Sequence, residues 1–149
     1  MTIYRKWPDM GSLLADLMTR EWTALVQVDA GGTDACERLV RNGVATVRAI
    51  RGNPLFARIV ELDAALLLPY LLKRPGRSQR LVVDVIADQI RAGQASGEIR
   101  DGDPQLLARS IVLACHGFTL STQTMTGRGV TQRALDDELG ALLERYLRP

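Results

Sequence analysis

The sequence predicts an all-α fold, and three observations predict it. Apolar residues recur every three or four positions over most of the chain. No run alternates apolar and polar residues in the way of a half-buried strand, and aromatics make up only 5% of the 149 residues. Helix-capping residues stand ahead of the periodic runs, twice with proline directly after them, as Asn53-Pro54 and Asp103-Pro104. A hydrophobic content of 46% against 24% charged residues suits one compact domain with its own core.

Taken in order, the first long helix is expected from about Asp9 to Val28. Leu13, Leu14, Leu17, Met18, Leu25 and Val26 form its apolar face, and Asp29-Ala30-Gly31-Gly32 ends it. Thr33 or Asp34 caps the second helix, and Glu37 follows Asp34 at capping-box spacing. The second stripe is Val40, Gly43 or Val44, Val47 and Ile50, with Glu37 and Arg41 paired on the wet side. Gly52-Asn53-Pro54 stops this helix and starts a short one carrying Leu55, Phe56, Ile59, Val60 and Leu62. Between Ala64 and Gly76, Pro69 and Pro75 kink or end whatever forms.

Ser78 to Ala95 reads as a helix with Leu81, Val82, Val85, Ile86 and Ile90 inward, followed by a polar turn from Gly93 to Gly102. Asp103-Pro104 opens a helix that reaches about Met125. From Ile111 to Phe118 it is apolar almost all round, which a helix wet on one side does not tolerate. One face must meet the core and the other a second partner. Ala114, Gly117 and Ser121 share a face and let a neighbouring helix approach closely. After a Gly127-Arg128-Gly129 loop, Thr131 caps the last helix, with Val130 and Leu135 spaced as a hydrophobic staple. Its stripe is Leu135, Leu139, Leu142, Leu143 and Tyr146.

Composition excludes several classes. Nineteen basic and 17 acidic residues leave a net charge of +2, too little to imply nucleic-acid binding by charge alone. Two cysteines, Cys36 and Cys115, are too few for an extracellular disulfide scaffold and fit a reducing cytoplasm. The longest apolar stretch, Ala64 to Leu72, is broken by Pro69 and falls short of the roughly 20 residues of a membrane span. No catalytic set, metal site or cofactor is expected. His116 is the one histidine; beside Cys115 on a helix its side chain points about 100° away, so the two cannot converge. Asp136-Asp137-Glu138 reads as a solvated helix start favoured by the helix dipole.

The opening Thr2-Ile3-Tyr4, with Trp7 and Leu13, resembles the end of the helix-turn-helix domain in TetR-family (tetracycline-repressor-like) transcriptional regulators. Asn53-Pro54-Leu55-Phe56, Leu68-Pro69-Tyr70, and Gly97-Glu98-Ile99-Arg100 followed by Asp103 and Leu107-Ala108 resemble their C-terminal domains. The resemblance implies that residues 1–8 are the tail of a DNA-binding domain whose first helices are not in this chain. Residues 9–149 would then form a ligand-binding and dimerisation domain, with operator DNA bound only by a form carrying the full helix-turn-helix. It also implies homodimers built on a four-helix bundle from the last two helices of each subunit. The interface residues would be Ala114, Gly117, Ser121, Leu135, Leu139, Leu142 and Tyr146.

By the same resemblance, Thr2, Tyr4, Arg5 and Lys6 lie near the DNA backbone. The family's usual lysine position is Met10 here, so that charge is missing. A pocket for a small hydrophobic or amphipathic effector would be lined by Val40, Val44, Val47, Phe56, Ile59, Tyr70, Val82, Ile86, Ile111, Cys115 and Phe118, with Val60, Leu67 and Leu71 also inward. Tyr70, Cys115 and either His116 or Gln89 would be its polar points. The expected function is that of the effector-binding part of a ligand-responsive repressor. The alternative is a small-molecule-binding or dominant-negative dimerisation protein that does not read DNA.

Overall fold

The computed structural model describes residues 29–63 and 77–149. Among them are five helices and no strand: α1 (Ala35–Gly52), α2 (Pro54–Asp63), α3 (Arg77–Ala95), α4 (Pro104–Met125) and α5 (Gln132–Leu147). The helix expected at residues 9–28 and the proline-broken segment 64–76 lie outside the described residues. No helix among the described residues is long and apolar enough to cross a membrane.

α1 is the central helix. It packs on α5, α4, α3 and α2, while α3 lies along α4 and α4 along α5. The shared core joins Cys36, Leu39 and Val47 of α1 to Val83, Ala87 and Ile90 of α3. Leu107, Ala108, Ile111 and Val112 of α4 and Leu139, Leu143 and Leu147 of α5 complete it. Gly43 marks the tight crossing. A methyl group there would stand 3.3 Å from Leu143 Cδ1 and 3.8 Å from Cys115 Sγ.

The caps read from sequence are present. Asp34 accepts the Glu37 N–H, Asn53 accepts those of Leu55 and Phe56, Asp103 that of Gln105 and Thr131 that of Ala134. The capping box differs in one bond. The Glu37 carboxylate accepts from the backbone and hydroxyl of Thr33, one residue ahead of the cap, not from Asp34. Glu37 and Arg41 do pair.

Two expectations are corrected. α3 buries the expected Ile90 and keeps the expected Val82 and Ile86 half-buried against the core, but it adds Val83 and Ala87 to the core and leaves Leu81 and Val85 exposed. The run Leu81-Val82-Val83 is apolar on adjacent faces, so periodicity alone does not choose between them. The turn after α3 is also less polar than expected, because Ile99 is buried in the core.

That turn has a specific geometry. Gly97 adopts a left-handed φ of +72°, its N–H bonds to the Gln94 carbonyl, and the Glu98 N–H bonds back to Gly93. This is a Schellman ending, which needs glycine at the left-handed position. It swings Ile99 back against α3 where Gly93 has no side chain; a Cβ on Gly93 would sit 2.5 Å from Ile99 Cδ1. Glu98 then accepts the Ala35 N–H at the start of α1. Arg100 satisfies the end of α5, donating from its backbone to Leu147 O at 2.8 Å and from Nε to Tyr146 O at 2.6 Å. Its guanidinium also lies 4.5 Å over the Tyr146 ring. The Gly97-Glu98-Ile99-Arg100 segment thus ties three helix ends together.

Candidate functional site

The residues expected to line a pocket fall in two groups. Val47, Phe56, Ile59 and Ile111 are buried; Val40, Val44, Val82, Ile86, Cys115 and Phe118 are half-buried against the core. Val40 and Val44 lie beside Gly140 of α5, where a methyl group would be 3.9 Å and 3.7 Å from them. Their contacts therefore include the last helix as well as the chain's middle. Val60 is exposed, a correction to its expected inward place. Tyr70, Leu67 and Leu71, and the expected DNA-backbone residues Thr2, Tyr4, Arg5 and Lys6, lie outside the described residues.

The other expected surface is the outer face of α4 and α5. Leu106, Leu113 and Leu120 recur every seventh residue along α4 and are 61%, 70% and 39% exposed. Ser110 and Gly117 stand between them, and among the described residues nothing beyond the helix's own backbone lies within 4 Å of where a Gly117 side chain would begin. α5 adds Leu142, 51% exposed. Ser121 is exposed, and Ala114, Leu135 and Tyr146 are half-buried. Leu139 departs from the expected interface. It is fully buried in its own chain, because α5 turns it toward α1 and α4. Val130, the outer member of the expected staple, stays exposed in a tight turn where Gly127 and Val130 exchange two backbone bonds.

Burial shifts three titratable groups away from their charged forms. Burial pushes the Cys115 thiol up to about 11, so it is protonated at neutral pH. Burial also raises Cys36 and lowers His116. Among the described residues no group of three or more His, Cys, Asp or Glu is placed to hold a metal ion.

A polar cluster between the end of α1, the end of α4 and the start of α5 is not legible from the sequence. Asp136, expected to be solvated, is buried, with only 5% of its side chain exposed. It accepts from Arg48 Nε at 2.8 Å and from Arg51 Nη2. Arg51, 8% exposed, also donates to the Thr122 hydroxyl at 2.9 Å, and that hydroxyl donates to the Phe118 carbonyl. Arg51 Nε is buried with no acceptor among the described residues. Arg48 reaches Asp137 more loosely, at 3.5 Å. The signal that could have found the cluster is weak: two arginines three apart on the polar side of α1, and a carboxylate pair 85 residues or more away. The cluster borders an open cleft of about 700 Å³ that Gln123, Gln132 and Arg133 also line.

Known proteins resemble this chain along nearly its whole length. It is 31% identical over 147 residues to an uncharacterised HTH-type transcriptional regulator of Mycobacterium bovis, covering 98% of this chain and 76% of that protein. A regulator of the same description from Mycobacterium tuberculosis matches to the same extent. The chain belongs to the HTH-type transcriptional regulators. No protein-family profile matches it. In fold, the regulator is similar to a protein of unknown function from Rhodococcus sp. RHA1. The TM-score is 0.69 at 18% identity, over 96% of this chain and 75% of the other. That likeness independently supports the helical architecture. Within the regulator, the cap-defined helices and the Schellman turn set the frame that carries the apolar stripe on α4 and the arginine cluster.

Proposed function

We propose that this regulator is of the TetR type and that the present chain is its effector-binding and dimerisation part, acting in the cytoplasm as a ligand-responsive repressor. The carrying observation is the stripe Leu106, Leu113 and Leu120, with Leu142 beside it, on the face of α4 and α5 opposite the core. Large apolar side chains at a seven-residue repeat, separated by Ser110 and Gly117, suit a second helix pair laid against them. A twin copy of the same face would form a four-helix bundle with an isologous interface. The half-buried Val82, Ile86, Cys115 and Phe118 next to the core support an apolar effector held with few hydrogen bonds.

Light scattering on the purified chain tests the dimer. A particle of twice 16.4 kDa is expected, and Leu113→Glu should return it to the single mass with helicity intact. A wild-type particle of 16.4 kDa at micromolar concentration refutes the reading. Effector binding is tested by thermal shift with apolar compounds, where a stabilising compound must lose its effect in Phe118→Glu.

A further inference from the structure

We propose that His116 makes the self-association of this regulator pH-dependent: the outer face of α4 closes on a second copy while the ring is neutral and releases it when the ring is protonated. This inference rests on the dimer reading above and adds a regulation to it. His116 is the one histidine of the chain and lies on α4 itself. It stands three residues after Leu113 and four before Leu120. At about 100° per residue its side chain leaves the helix within about 60° of the first and about 40° of the second. The ring is half-buried in its own chain, while both leucines are exposed. A copy laid over those leucines covers the ring as well.

No carboxylate is set to receive the protonated ring. The imidazole makes no hydrogen bond or ion pair among the described residues, and burial alone lowers its pKa from the ordinary 6.5. From Pro104 to Met125, α4 carries no Asp or Glu; its other charged side chain is Arg109, two turns before His116 on the same side and of like sign. The helices packed on α4 have spent their nearer acids. On α3, Asp84 accepts from Gln105 and Asp88 pairs with Arg91, which leaves Arg80 as an exposed like charge. On α5, Asp136 and Asp137 take Arg48 and Arg51 of α1, and Glu144 takes Arg148. Glu138 and Arg145, seven residues apart and exposed beside Leu142, offset one another. An imidazolium under a second copy is therefore a desolvated, unpaired cation, which costs free energy that the neutral ring does not. The covered ring holds its proton less tightly than the open one. The dimer is thus at full strength above the ordinary 6.5 and weakens as pH falls below it, each chain taking up a proton on release.

The test is the dimer dissociation constant of the full chain, measured by analytical ultracentrifugation from about pH 8 to about pH 5.5 at constant ionic strength. In wild type it should rise by about tenfold or more across that range, with circular dichroism unchanged. In His116→Gln, whose side chain stays neutral throughout, the constant should not vary with pH. A wild-type constant that does not move, one that falls with acid because a carboxylate such as Glu138 receives the imidazolium, or an equal rise in His116→Gln would each overturn the inference and leave the dimer standing. A wild-type particle of 16.4 kDa at every pH sinks the dimer reading and this inference with it.

Discussion

Replacing Asp136 with Asn keeps the shape of the side chain and removes its charge, which leaves Arg51 without a counterion. Arg51 is 8% exposed, and its Nε already lacks an acceptor among the described residues. Without the carboxylate, a guanidinium stays buried against the Thr122 hydroxyl and a neutral amide. Removing one member of a buried ion pair costs about 3–5 kcal/mol, because the other charge is left desolvated and unmatched. Asp137 is the internal control. It lies one residue away in the same helix turn but is two-thirds exposed and 3.5 Å from Arg48, so its loss costs at most about 1 kcal/mol. Urea unfolding followed by circular dichroism gives both values. In thermal melts Asp136→Asn should lower Tm by roughly 10 °C, at about 2–4 °C per kcal/mol for a chain of this size. The double replacement Arg51→Met with Asp136→Leu should recover much of the loss, since it removes both charges together. An Asp136→Asn variant as stable as Asp137→Asn would refute the argument that the cluster is desolvated.

Two further perturbations have outcomes set by the same structure. Glycine to alanine inside a helix usually stabilises by about 0.5–1 kcal/mol, but Gly93→Ala should destabilise by about 1–3 kcal/mol because the new methyl meets Ile99 and Ala35, and denaturant midpoints decide the sign. Asp34 is held below its ordinary 3.8, first by the Glu37 N–H and then by Arg148. A carboxylate with a depressed folded pKa contributes stability above its unfolded value and loses it as pH falls through the folded one. Wild type should therefore lose stability below pH 3.8 more steeply than Asp34→Asn, as read from melts across the acid range.

Helix positions are largely legible because local groups determine them. Asp34, Asn53, Asp103 and Thr131 each bond within three residues of themselves, so spacing alone announces the cap. Which face of each helix turns inward is less legible. Leu81 and Val85 look as apolar as Val83 and Ala87, and packing of α3 on α4 chooses the second pair. The family resemblance, not periodicity, places Leu139 at a subunit interface, yet it is interior. Ile99, in a segment rich in turn residues, becomes core through the left-handed Gly97 and the missing side chain of Gly93.

The sequence by itself determined the helical class, the caps and the presence of an α4 apolar on more faces than one core can cover. These rest on periodicity and bonds that span at most one turn. Tertiary structure alone decided that Asp136 is buried, that Arg48 and Arg51 converge on it, and that Arg133 with the start of α5 opens onto the same cleft. The two α1 arginines stand 85 residues or more from Asp136 along the chain, and only the packing of α1 against α4 and α5 brings their charges within bonding distance.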